Sequence, residues 1–415
     1  MPRNDRPLHI CLISEEYPPD TGWGGIGTYT YNLARGLVQL GQRVDVVAGC
    51  LESAATAVED DVQVHRIGFA APRQPAKRFI YRLFQAYTRR MPYLRRKLEF
   101  AHAAAGLLRR LHQQDPLDLL ETAEYDANGY FATRWGRVPA VVKIHTPLLV
   151  NYRLNRLPVT REVRWCDRLE RRQTVRAAKI TTPSRAMKRV AEEWLHQRRD
   201  IHVLPNPIDT EQFSHTGPAT REWGRYLFYT GRLERRKGVH VLLQAFRMVR
   251  QQIPDVKLVL AGHDTPTFQV NGRTAHFQEY LAAHALLADM ADRVIFLGKL
   301  DRRELPPWYR GSVAGVFPSE EFENFPYTCL EAMACGRAVI VTDAGGMAEM
   351  MEDGVSGRCV PAGQAAPLAE ALADVARNPE SAGRMGEAAR RRVLDCFSMA
   401  AISRKTLELY REVCS

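Results

Sequence analysis

Two series of short apolar runs, each run followed by a turn and a helical pattern, constrain this chain more than any other feature. The first series opens with Leu8-His9-Ile10-Cys11-Leu12-Ile13 and passes through a proline- and glycine-rich turn ending Gly24-Gly25-Ile26-Gly27. It continues with Leu33, Leu37 and Leu40 on one helical face and returns in Val44-Asp45-Val46-Val47-Ala48. A strand, a crossover helix and a second strand in that order require a parallel sheet with a right-handed connection. Further strands are expected at 62–67, 117–120, 140–145, 179–182 and 202–204. A cluster of Pro205, Asn206, Pro207, Gly217 and Pro218 then reads as a linker. A second series follows, with strands at 226–229, 256–261, 294–297, 313–317 and 339–342 and helices from about 367 to 413. The expected architecture is α/β, with two Rossmann-like, doubly wound domains facing across a cleft. The boundaries read as 1–205 for the first domain, 206–224 for the linker and 225–397 for the second domain. A C-terminal helix at 398–415 is expected to pack back on the first domain.

Composition narrows the class. Of 415 residues, 45% are hydrophobic and 25% charged, the mix of a soluble globular chain. Apolar runs fall far short of the roughly 18 residues a membrane span needs. The polar start at 1–7 lacks a signal-peptide core, so a cytoplasmic protein is expected. Eight cysteines show no C-x-x-C pair and no metal-ligand spacing, so neither a disulfide nor zinc is expected. The net charge of +11 is unevenly placed: residues 1–200 carry 33 basic against 21 acidic residues, and 201–415 carry 25 against 26. One basic and one neutral half suggest domains with different partners.

Three segments could carry chemistry. After the strand ending at Phe317, the loop and helix to Gly336 contain Glu323 and Glu331, and Pro326 suits a first helical turn. Glu323 is therefore expected on the loop and Glu331 inside the helix. A carboxylate there can accept hydrogen bonds from sugar hydroxyls, although an isolated helix glutamate is ordinarily a solvated charge. Tyr229-Thr230-Gly231-Arg232-Leu233-Glu234-Arg235-Arg236-Lys237-Gly238 runs from a strand into a helix, placing Arg232 and Lys237 where a helix start already favours anions. Such a loop suits a diphosphate. His145 follows Val141-Val142-Lys143-Ile144 and should emerge at the carboxyl edge of the first sheet.

In this order, these elements resemble the family 4 glycosyltransferases, retaining enzymes of GT-B fold. The resemblance runs nearly end to end: Gly24-Gly25-Ile26-Gly27, His145, Ser184, Asn206-Pro207-Ile208-Asp209, Arg232 with Lys237, Glu323 to Glu331, and Gly345-Gly346 followed by Glu349. It implies that Arg232 and Lys237 hold the donor diphosphate, that Glu331 holds the nucleotide ribose, and that Glu323 lies near the transferred sugar. His145 would touch that sugar from the other domain, and Gly24, Gly25 and Gly27 would border the diphosphate and acceptor. Two departures stand out. Asn324-Phe325-Pro326 replaces the family's glycine-rich step, so amide contacts fall to Asn324, Phe325 or Tyr327, because proline cannot donate. Asn206-Pro207 also stands where Asn-Gly is commoner.

The implied reaction transfers a sugar from a UDP- or GDP-sugar to a sugar, lipid-linked or small-molecule hydroxyl, in polysaccharide, glycolipid or glycoside synthesis. Fixed cations would stabilise the departing diphosphate. No Asp-x-Asp occurs, so no metal and no cofactor are expected. Two other readings stay open: a sugar-nucleotide epimerase on the same fold, and a non-catalytic module binding RNA or membrane. Residues 71–110 hold Arg73, Lys77, Arg78, Arg82, Arg89, Arg90, Arg95, Arg96, Lys97, Arg109 and Arg110 against Glu99 alone, interleaved with aromatics. The stretch 73–110 is expected to dock on an anionic membrane, making the protein peripheral at its inner face; nucleic acid is not expected.

Overall fold

A computed structural model describes residues 6–50, 54–68 and 75–415. The chain forms two compact units, Met1–Pro207 with Ile402–Ser415, and Ile208–Ala401.

In the first unit the strands are β1 (His9–Ser14), β2 (Arg43–Gly49), β3 (Ala55–Glu59), β4 (Val62–Ile67), β5 (Leu119–Ala123), β6 (Ala140–Lys143), β7 (Lys179–Thr182) and β8 (Ile201–Val203). They lie in the order β3-β4-β2-β1-β5-β6-β7-β8, parallel throughout except where β3 turns back against β4. Its helices are α1 (Gly25–Gln39), α2 (Pro75–Tyr87), α3 (Pro92–Gln114), α4 (Tyr130–Trp135), α5 (Leu148–Leu154), α6 (Arg161–Val175) and α7 (Arg185–Leu195). Strands β1, β5 and β6 are buried along their whole length, as a sheet covered by helices on both faces demands. The strand expected at 140–145 stops at Lys143, leaving His145 two residues past its carboxyl end.

The second unit contains β9 (Tyr226–Thr230), β10 (Lys257–Ala261), β11 (Phe268–Val270), β12 (Arg273–Ala275), β13 (Val294–Gly298), β14 (Ala314–Phe317), β15 (Ala338–Thr342) and β16 (Gly357–Val360). Its parallel sheet runs β13-β10-β9-β14-β15-β16, and β11 with β12 forms a separate antiparallel pair. Around it lie α8 (Val239–Gln252), α9 (Phe277–Ala283), α10 (Leu305–Gly311), α11 (Tyr327–Ala334), α12 (Ala365–Arg377) and α13 (Pro379–Cys396); α14 (Met399–Cys414) begins here and belongs from Ile402 to the first unit. Alternate β9 residues enter different cores: Leu227 and Tyr229 join Leu242, Phe246 and Leu260, while Tyr226 and Phe228 join Phe317, Leu330 and Met333. That two-sided burial explains the continuous apolar runs.

The unit boundary differs from the sequence reading. Of residues 206–224, read as a linker, 206–207 belong to the first unit and 208–224 to the second. Ile208 exchanges backbone hydrogen bonds with Phe397 and Met399, and Phe213 is wholly buried. Asp209 Oδ1 accepts from the amides of Glu211 and Gln212, an aspartate turn that a count of prolines and glycines does not show.

Candidate functional site

Each sheet changes winding direction beside its first strand. β1 lies between β2 and β5, and β9 lies between β10 and β14. The carboxyl edge at such a switch point is where open α/β sheets bind ligands.

In the second unit that edge is charged. The segment after β9 ends in a short turn, Arg235–Lys237, closed by Gly238 at φ +68. A β-carbon at Gly238 would stand 1.8 Å from the Pro318 carbonyl oxygen, so only glycine lets this turn seat on the segment after β14. That seating places Lys237 Nζ 2.7 Å from Glu323 Oε1 and brings Arg236 to the same oxygen. Glu234, buried behind them, lies 2.8 Å from Arg236 Nε and 3.1 Å from the exposed Arg232. Glu323 is fixed through its backbone: its amide donates to Ala344, and Gly346 donates to its carbonyl. Burial pushes the Glu323 carboxyl up, but Lys237 and Arg236 outweigh it and hold it below the usual range. Lys237 is held below its ordinary value by burial, with Arg236 adding to the effect and Glu323 opposing it. Arg236 and Lys237 thus meet on the Glu323 carboxylate, with Arg236 also paired to Glu234.

Helix α11 starts at Tyr327 after Pro326, and Glu331 lies inside it. Its carboxylate is buried and bound by Arg302 and Tyr309. Of the three residues expected to supply amides, Asn324 and Tyr327 are half-buried. The Phe325 ring sits in the core against Phe397, at 5.4 Å between ring centres, which leaves only its backbone to face a ligand.

In the first unit Gly24 caps α1, Gly25 opens it and Gly27 is buried in its first turn. The loop lies on Glu16: a β-carbon at Gly24 would meet Glu16 Oε2 at 2.1 Å, and one at Gly27 would meet Glu16 Cβ at 3.1 Å. Burial raises the Glu16 carboxyl above its ordinary range. His145 is also buried, its amide donates to Glu124 Oε2 at 2.8 Å, and its ring stands edge-on to Tyr29 at 5.0 Å. Burial, then Lys143, pushes the imidazole down to about 3, so it is neutral at physiological pH. Burial also lowers Lys143 to about 7 and raises Glu124 to about 7. Lys143 Nζ lies 4.6 Å from the Tyr29 ring centre and donates to the Leu204 carbonyl.

Sequence reasoning missed Arg236, Glu234, Arg302, Glu16 and Glu124. Arg236 sits in the basic loop already singled out, one residue before Lys237, and adjacency was its available signal. Arg302 is 29 residues from Glu331 in an unremarkable turn, and no spacing marks it. The basic stretch also needs correction. Lys97 is buried between Glu15 and Asp126, and the half-buried Arg95 lies 4.0 Å from Glu99, so neither is a free surface charge. Arg73 and the side chain of Lys77 lie outside the described residues. Among the described residues no cluster of His, Cys, Asp or Glu has metal-holding geometry, and no helix is long and apolar enough to cross a membrane.

Comparison with known proteins bears on the family and the fold. Residues 23–212 match the family model described as Glycosyltransferase Family 4, and residues 211–392 match the one described as Glycosyl transferases group 1. An alpha-maltose-1-phosphate synthase of Mycobacterium tuberculosis is 34% identical over 232 residues, which cover 52% of this chain and 57% of that protein. The match thus spans little more than half of that relative's length. A D-inositol 3-phosphate glycosyltransferase of Arthrobacter is 28% identical over 92% of this chain and 89% of its own. In fold, the chain is similar to sucrose-phosphate synthase of Thermosynechococcus elongatus, with a TM-score of 0.74, 22% identity, and 98% and 99% of the two chains covered. It is likewise similar to Anabaena HepE in complex with UDP-glucose, at 0.68, 19%, and 98% and 100%.

Proposed function

The chain belongs to glycosyltransferase family 4, with the GT-B fold, and on that premise we propose that it transfers a sugar, with retention, from a UDP- or GDP-sugar to a hydroxyl acceptor. The observation that carries this reading is the pair of cations on Glu323 at the switch point of the second sheet. In the reaction the bond between the anomeric carbon and the phosphate oxygen breaks, a bond to the acceptor oxygen forms, and the acceptor's proton passes to the departing diphosphate. Charge grows on the diphosphate, so Lys237 and the exposed Arg232 stabilise it without a metal, and EDTA should leave activity intact. Asn324, Phe325 and Tyr327 offer backbone amides to the donor, Glu331 takes the ribose, and Glu323 stands by the transferred sugar. His145 is a neutral hydrogen-bonding group for a sugar hydroxyl, and Gly24, Gly25 and Gly27 line the acceptor-binding unit. The reading draws support from HepE, a fold relative described with UDP-glucose. Thermal stabilisation by a panel of UDP-, GDP- and ADP-sugars tests it, followed by transfer assays. Turnover with no acceptor present would instead mean epimerisation.

A cytoplasmic location at the inner membrane face goes with this proposal. On α2, Phe79, Leu83 and Tyr87 are 63%, 56% and 73% exposed at four-residue spacing, while Tyr81 turns the other way to donate to Glu99 of α3. Arg78 and Arg82 on the same helix and Arg89 and Arg90 just after it are exposed; Arg96, also exposed, lies 4.0 Å from Glu15. Each such charge near an anionic bilayer contributes about 1 kcal/mol, and the ridge adds interfacial contact. Co-sedimentation with phosphatidylserine vesicles, reversed by salt and absent with neutral vesicles, is the expected result. Equal behaviour toward both vesicle types rejects docking.

A further inference from the structure

Glu331 is the more enclosed of the two glutamates, and two elements reach its carboxylate. Arg302, in the turn Arg302–Glu304, donates Nε–H to Oε1 at 2.7 Å. The hydroxyl of Tyr309, on α10, stands 3.2 Å from Oε2 and 3.2 Å from the Thr328 carbonyl, two acceptors within reach of its one hydrogen, and 2.7 Å from Thr230 Oγ1 at the end of β9. The Arg302 guanidinium lies 4.7 Å from the ring centre of Phe213 and 5.7 Å from that of Tyr327. A planar fork packed against two rings and bound to the carboxylate of a residue 2% exposed leaves that carboxylate little freedom to turn.

Stability alone explains this arrangement poorly. Exchanging a buried ion pair for apolar side chains of similar volume is often neutral or stabilising. A carboxylate, moreover, has about four acceptor positions, and the two contacts use one on each oxygen. The group is thus oriented while keeping capacity for further donors, and its tether through Tyr309 and Thr230 leads to the switch point.

We infer that Arg302 and Tyr309 are positioning residues: they fix Glu331 so that its remaining acceptor positions take the 2′- and 3′-hydroxyls of the donor's ribose. This rests on the ribose role given to Glu331 above and adds what makes that role selective. A swinging carboxylate can follow water or a deoxyribose equally well. A fixed one loses a charge-assisted hydrogen bond whenever a hydroxyl is missing. Ribonucleotide selectivity therefore depends on residues that do not touch the nucleotide.

The test measures binding of UDP, GDP and ADP by calorimetry, takes the tightest, and compares it with its 2′-deoxy form. Wild type should prefer the ribonucleotide by roughly tenfold or more, the worth of one hydrogen bond to a charged group. E331Q should lower that preference to within about threefold, because a neutral acceptor is weaker. R302M and Y309F should lower it as well, and R302K should restore part of it relative to R302M. Melting temperatures run alongside. If R302M does not fold, R302K and Y309F decide the matter, since one keeps the charge and the other removes a single hydroxyl. Preference lost in E331Q but intact in R302M and Y309F, or in R302K and Y309F where R302M does not fold, overturns the positioning role and leaves the ribose reading standing. No preference in wild type, or full preference in E331Q, overturns the ribose reading itself.

Discussion

The two units present the same kind of edge, the carboxyl ends of a parallel sheet beside its central strand, yet resolve the conflict between burial and charge in opposite directions. In the second unit charge wins: Glu323 is buried but held below its ordinary range because Lys237 and Arg236 reach the same oxygen. In the first unit burial wins: His145 is driven down to about 3, Lys143 to about 7, and Glu124 is raised to about 7. Glu170, which accepts amide hydrogens from Asp126 and Leu148, is raised well above its usual range. An edge rich in fixed charge suits a ligand whose charge changes during reaction. At the other edge the one clearly neutral group is the His145 imidazole, a hydrogen-bonding partner without charge. The contrast follows from whether burial or neighbouring charge is larger at each edge and needs no difference in fold.

Breaking the contrast at the charged edge should have the largest effect. Lys237→Ala is expected to cut turnover by about 10²- to 10³-fold, some 3–4 kcal/mol of transition-state stabilisation. Arg236 still pairs Glu323 in that variant, so the melting temperature should stay within about 4 °C. Steady-state kinetics and a thermal melt on the same sample check both halves, and near-normal turnover would remove the charged edge from the chemistry. The neutral edge should show itself in stability. His145 has a folded-state value below its unfolded value of about 6.5, so its contribution is complete above that pH and is lost as pH falls toward about 3. Glu124 works in the opposite sense over part of this range, and the comparison must therefore be made against His145→Asn. The stability difference between wild type and variant, from urea denaturation, should shrink by up to about 1.4 kcal/mol per pH unit below 6.5. A difference independent of pH would mean the imidazole protonates freely in the folded state. The smallest effect is the one predicted for metal removal: rates with and without EDTA should agree, and an absolute demand for magnesium or manganese would show that Lys237 and Arg232 do not suffice for the leaving group.

Legibility in the sequence followed burial. Strands such as β9 and β15, enclosed on both faces, stand out as apolar runs. β3 is exposed along nearly all its length and carries no such run, while β11 and β12 are three residues each, too short to set a period. At the site, Glu323 and Lys237 were readable because each sits where a strand gives way to a turn. Their shared oxygen was not, because it depends on Gly238 seating against Pro318, 80 residues downstream. The Arg302–Glu331 pair was hidden for the same reason: a contact between a turn and a distant helix leaves no periodic trace.

One feature of the first unit bears on the order in which the chain can be completed. Glu121, on β5, is buried and accepts hydroxyl hydrogens from Tyr29 on α1 and from Tyr410 on α14. The second of these donors emerges from the ribosome 289 residues after the carboxylate it satisfies, with the whole of the second unit between them. During synthesis the second unit, one continuous segment, can therefore fold while the first, though made earlier, still lacks its final helix. The half of the protein translated first is the half finished last.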